Sequence, residues 1–79
     1  PDDKVDGTKI AQEVQAALMR ISPTYREMVV LRDIQQMTYE EICAVTGAEM
    51  GTVKSRINRG RAQLQELLQG LYQEVFGTA

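Results

Sequence analysis

Histidine is absent from the 79 residues, and cysteine occurs once, at Cys43. Without histidine and with a single thiol, no Cys/His zinc site can be assembled, and the familiar acid–base and nucleophile sets lose their usual members. No enzyme, metal site or cofactor is therefore expected. One cysteine closes no internal disulfide, and a reducing, cytoplasmic setting is the simplest reading. Only two prolines occur, both in the first third. No apolar run approaches the roughly 20 residues of a membrane span, so no membrane partner is expected, and nothing resembles a secretory signal. The chain opens on Pro1 rather than Met, which leads to the expectation of an excised part of something longer.

The length bounds the chain to one small domain, marginal but workable for helices packed on one another. Its 43% hydrophobic and 25% charged residues suit a globular rather than a disordered class. The formal net charge of −2 argues weakly against nucleic acid. It hides an asymmetry: residues 50–62 hold Lys54, Arg56, Arg59 and Arg61 and no acid, a local +4 that leaves −6 for the remainder. For a polyanion the local patch counts more than the total.

Along the chain, residues 1–9 read as a polar linker or frayed terminus, and residues 10–79 as the folded domain. Ile10, Val14, Ala17, Leu18 and Ile21 recur at helical spacing, with Thr8 as a plausible cap. Ser22 before Pro23 starts a second helix carrying Tyr25, Met28, Val29, Leu31 and Ile34. Thr38 with Glu41 forms a capping box, and Met37 with Ile42 a hydrophobic staple. In the short helix that follows, Ile42, Cys43 and Val45 are expected to face inward and Gly47 to end it. The last helix begins near Met50 or Gly51 and runs to about Gln69. Its seam, Val53, Ile57, Gly60, Leu64, Leu67 and Leu71, keeps helical periodicity without a miss. Gly60 sits in that seam, where it allows a neighbouring helix close approach. The expected fold is all-α, a domain of four to five helices with a helix-turn-helix and a long C-terminal recognition helix.

Two short helices joined around a glycine are the pattern of a helix-turn-helix, here Tyr39 to Thr46, a turn over Gly47 to Glu49, and a second helix from about Gly51. The second helix of such a motif enters the major groove with its N-terminal residues nearest the bases. With Val53 and Ile57 buried, Thr52, Ser55, Asn58 and Arg59 point away from the core, and Lys54 and Arg61 flank them. Arg and Lys meet phosphates or guanine edges, Asn pairs with adenine, and Ser and Thr donate or accept. Arg56 lies nearer the seam, placed for a phosphate or for pairing with Glu41 or Glu27. From periodicity alone, a small helical bundle with a solvated charged face is the competing reading. Glu40 and Glu41 make a poor catalytic pair, because adjacent helix positions diverge by about 100°. Met19, Met28, Met37 and Met50 read as gap-fillers, and Cys43 as a small buried hydrophobe.

The stretch T-Y-E-E-I-C-A-V-T-G-A-E-M-G-T-V-K-S-R-I-N-R-G-R-A-Q-L resembles the region 4 helix-turn-helix of sigma factors of the extracytoplasmic-function (ECF) group. The upstream run A-L-M-R-I-S-P-T-Y-R-E-M-V-V-L-R-D resembles the two helices that precede it in that family, so the likeness covers residues 17 to 68. G-T-V-K-S-R followed by R-G-R-A-x-L is the specific part, since a lone T-V-K is shared with other helix-turn-helix families. The resemblance implies binding of the upstream (−35) promoter element, a second face gripping the β-subunit flap of RNA polymerase, an anti-sigma protein as a further partner, and no catalysis. It implies Thr52, Lys54, Ser55, Arg56, Asn58, Arg59 and Arg61 as DNA-facing, and Tyr39 and Glu40 as backbone-positioning.

There are departures from the family. It commonly has Gly where this chain has Gln36, so the loop there is either less tight or holds Gln36 left-handed at some cost. Glu49 places an acid near the expected phosphates. Two alternatives stay open. The DNA-binding domain of a LuxR-type response regulator also has a four-helix plan and a T-V-K, but usually a histidine soon after it. A protein-docking helical module would turn the basic face to an acidic partner. The tail Leu67, Leu68, Leu71, Tyr72, Val75 and Phe76 either packs on the first helices or forms a docking surface.

Overall fold

The computed structural model describes residues 7–70. All regular structure among them is helical, as the periodicity predicts: α1 (Gly7–Leu18), α2 (Pro23–Val29), a π-helical turn (Val30–Ile34) that prolongs α2, α3 (Tyr39–Thr46) and α4 (Met50–Leu67). The chain is helical already at Gly7, so Thr8 lies inside α1 rather than capping it. No helix among the described residues is long and apolar enough to cross a membrane.

Local chemistry sets the helix ends. Ser22 stands extended before α2, its hydroxyl accepting from the Tyr25 amide, with Pro23 at the first helical position. At the far end the Gln35 amide reaches back five residues to the Val30 carbonyl, and the Met37 amide reaches the Leu31 carbonyl. Nothing in the sequence signalled this widened turn. It closes on Gln36, whose φ of 59° is left-handed, so the second of the two expectations for that position holds. The Arg32 side chain ties the turn down, donating to the Met37 carbonyl at 2.7 Å.

The Thr38 capping box is complete. The Glu41 amide donates to Thr38 Oγ1 at 3.1 Å and the Thr38 amide to Glu41 Oε1 at 2.8 Å. Gly47 ends α3 at φ 77°, its amide bonded to the Cys43 carbonyl. The Thr46 hydroxyl then accepts from the Ala48 amide, bracing the turn that leads to α4.

Two apolar clusters fill the interior. Met28, Ile42, Val53 and Ile57 form the first, joined by half-buried Leu31, Met37, Tyr39, Cys43 and Ala48. Leu18, Ile21 and Val29 form the second, with Val14, Tyr25, Val30, Leu64 and Leu67 against them. Burying each large aliphatic side chain contributes roughly 1.5–3 kcal/mol. Helix α4 walls both clusters. Gly60 is buried where α4 crosses α2, and a Cβ built there would stand 2.5 Å from Val29 Cγ2 and 3.1 Å from the Tyr25 carbonyl oxygen. The close approach expected of Gly60 is therefore present.

Besides Thr8, four positions differ from the sequence reading. Val45 is 65% exposed: the buried face of α3 centres on Tyr39, Ile42, Cys43 and Thr46, and Val45 lies on the other side of Ile42 from them. Ile34 is half exposed. It closes the π-helical turn, none of whose five residues is buried. Ile10 is exposed as well, because α1 buries its apolar stripe only towards its C-terminal end, at Ala17 and Leu18. Met19 fills no gap. It is 68% exposed, and its sulfur accepts from Arg26 Nη1.

Candidate nucleic-acid interface

The turn from Gly47 to Glu49 sets α4 across α3, and burial of Val53 and Ile57 at 0% exposure fixes which side of α4 faces outward. Lys54, Ser55, Asn58 and Arg59 are exposed along that side, and Thr52 and Arg56 are half-buried at one border of it. Among the described residues Arg56 makes no ion pair with Glu41 or Glu27, the pairings its position suggested. Glu49 is the extended residue before α4 and offers no side-chain cap, and the first turn of α4 holds no acid. Its first amides thus add partial positive charge to the end nearest the turn.

The opposite border is organised differently. Tyr39, in the first turn of α3, is half-buried with its ring beside two cations: the Arg32 guanidinium at 4.6 Å from the centroid and the Lys54 ammonium at 5.5 Å. Both lie within cation–π range. Glu40 follows on the exposed side of α3. Arg61, two turns beyond Lys54 on the same border, donates from Nε to Asp33 Oδ2 at 2.8 Å and from Nη2 to Asp33 Oδ1 at 2.5 Å. This two-pronged hydrogen bond holds the Asp33 carboxyl below its ordinary range and the Arg61 guanidinium above its own. The structure therefore brings Tyr39, Lys54, Ser55, Asn58 and Arg59 onto one surface with Thr52 and Arg56 at its edge, and engages Arg61 with an acid.

Sequence reasoning passed over Arg32 and Asp33 as functional residues. Arg32 closes the left-handed turn and stacks on Tyr39, and Asp33 binds a cation of α4, 28 residues away. No local signal carries either role: that of Arg32 depends on how the π-turn meets the start of α3, and that of Asp33 on how it meets α4. No cluster of His, Cys, Asp and Glu suited to a metal ion occurs among the described residues.

Residues 11–64 match the family described as Sigma-70, region 4. The chain belongs to that family. The match spans most of α1 through Leu64 of α4 and so contains α3, the turn and α4 up to that residue. With region 4 established, the LuxR-type alternative falls away. Curated relatives bear out the likeness to the ECF group. The chain is 44% identical over 68 residues to the ECF RNA polymerase sigma factor SigE of Mycolicibacterium smegmatis, an overlap covering 86% of this chain and 26% of that protein. It is 32% identical over 71 residues to the ECF RNA polymerase sigma factor SigW of Bacillus subtilis, covering 90% and 38%. It is 41% identical over 73 residues to the RNA polymerase sigma-E factor of Streptomyces avermitilis, covering 87% and 41%. This region 4 chain thus spans about a quarter to two-fifths of the length of these relatives.

Proposed function

We propose that this region 4 chain is the promoter-reading domain of an ECF sigma factor and helps direct RNA polymerase to initiate transcription. The observation that carries the reading is the acid-free run of α4 from Met50 to Ala62, its polar face outward directly after a glycine turn. In this reading α4 lies in the major groove of the −35 element. Thr52, Ser55, Asn58 and Arg59 face base edges, Lys54 and Arg56 meet phosphates, and Tyr39 and Glu40 set the register on the backbone.

The domain supplies affinity and position but no chemical step. RNA polymerase core is its working partner, through the β-subunit flap, and an anti-sigma protein is a further partner. The setting is cytoplasmic, with the polymerase. The residues named for the tail beyond Gly70, Leu71, Tyr72, Val75 and Phe76, lie outside the described residues.

The test is titration of the labelled chain with a promoter duplex at several salt concentrations. Shifts should concentrate on Thr52 to Arg59, and affinity should fall with salt because phosphate contacts release counterions. Arg59→Ala is expected to weaken binding by about 1–3 kcal/mol and relax base preference, and Lys54→Ala to weaken it uniformly and lower the salt slope by about 1. Both variants should melt close to the parent. Parent-like binding in both would overturn the choice of face. A silent α4 with shifts elsewhere on addition of the polymerase flap would make the domain a docking module.

A further inference from the structure

Three cations border the reading face at one corner, where the π-turn, the start of α3 and the middle of α4 meet. Arg32 is committed to the Met37 carbonyl and the Tyr39 ring. Lys54 leans on the same ring from α4. Arg61 projects from the same side of α4 as Lys54 and would extend the phosphate-facing border by two turns, had it no partner. Instead both prongs of its guanidinium meet the Asp33 carboxylate. That geometry is the one in which Arg binds a phosphate, with a carboxylate in its place. The pair is not sealed away: the Arg61 side chain is 44% exposed and that of Asp33 37%. A polyanion lying along α4 would compete for Arg61 directly.

We propose that Asp33 is a positioning residue for DNA binding: it stands in for a phosphate at Arg61 and withholds that cation from the nucleic acid. The inference rests on the reading of α4 as the DNA-binding helix. Its consequence is an affinity ceiling. A phosphate contact strengthens binding to every sequence alike, so occupying Arg61 internally lowers the hold on DNA without touching the base-facing residues Ser55, Asn58 and Arg59. Asp33 therefore tunes how long the domain rests on any duplex, and it acts wholly through Arg61.

The experiment is a double-mutant cycle of Asp33→Asn and Arg61→Gln in the 79-residue chain. Binding is measured on a duplex selected by the parent from a randomised pool and on a scrambled duplex of equal length. Asp33→Asn should strengthen both duplexes by the same factor and steepen the salt slope by about 0.9, so that its advantage over the parent shrinks about threefold between 50 and 200 mM salt. In the Arg61→Gln background the same substitution should leave the slope where it was. Asp33→Glu, which restores a carboxylate, should return the parent slope.

Equal steepening in both backgrounds would mean that Asp33 acts as a bare negative charge, and no steepening in either would mean that Arg61 is not withheld. Either result overturns the proposal. If selection enriches no sequence, the promoter reading fails on its own. The cycle is then read on a heparin column, where Asp33→Asn should elute at higher salt than the parent and the double variant together with Arg61→Gln. Coelution of Asp33→Asn with the parent there would overturn the proposal independently.

Discussion

The two apolar clusters differ in how completely they are closed. Around Ile42, Val53 and Ile57 exposure is 0%, Met28 is at 1%, and the helix between them is fastened at both ends by the Thr38 box and Gly47. Around Leu18, Ile21 and Val29 exposure is 2–5%, and the half-buried layer of this cluster runs from Val14 of α1 to Leu64 and Leu67 near the end of α4. The sealed cluster underlies the surface proposed to face DNA, and the looser one joins α1 to the distal half of α4. A face that must present several side chains in fixed register needs a backbone held without slack, whereas an element that only supports it tolerates partial exposure.

Substitutions in the two clusters should expose that contrast. The largest effect is expected from Ile57→Ala, at about 4 kcal/mol, against about 2–3 kcal/mol for Leu18→Ala, whose site can relax towards solvent. Chemical denaturation of the two variants compares them, and equal losses would erase the distinction. Next comes Gly60→Ala, expected to destabilise by about 2 kcal/mol by forcing α2 and α4 apart. It links the clusters, and Val29→Ala in the same chain should recover part of the loss, since Val29 Cγ2 is the nearest obstacle. Thr38→Ala should remove about 1 kcal/mol by opening the capping box, and hydrogen exchange should show the faster opening concentrated in the first turn of α3. The smallest effect runs the other way. Gln36→Gly should stabilise by about 0.5 kcal/mol, because relief of the left-handed strain outweighs the added freedom of the unfolded chain. A lower melting temperature for that variant would mean that the Gln36 side chain itself holds the turn.

How much of this was legible beforehand follows from the range of each interaction. The capping box, the Gly47 stop and the seam of α4 are written within four residues of one another; the first two stand as read, and the seam does from Val53 to Leu67, its last member Leu71 lying outside the described residues. The left-handed Gln36 was legible as one of two outcomes because a glycine is usual there. Val45 misled because an eight-residue helix has too few turns for its apolar residues to fix the buried side, and only packing against α4 decides between Cys43 and Val45. The π-turn and the Asp33–Arg61 pair had no local precursor: one depends on how a helix end is finished, the other on the meeting of residues 28 apart. Sequence could therefore nominate the cations of α4 but not single out the one already paired with an acid.

Gly60 has a mechanical consequence as well as a packing one. By bringing two backbones nearly into touch part-way along α4, it makes a fulcrum, with about 15 Å of helix towards Met50 and about 10 Å towards Leu67. Displacement of either arm about that pivot is opposed by the packing of Val53 and Ile57 on one side and of Leu64 and Leu67 on the other.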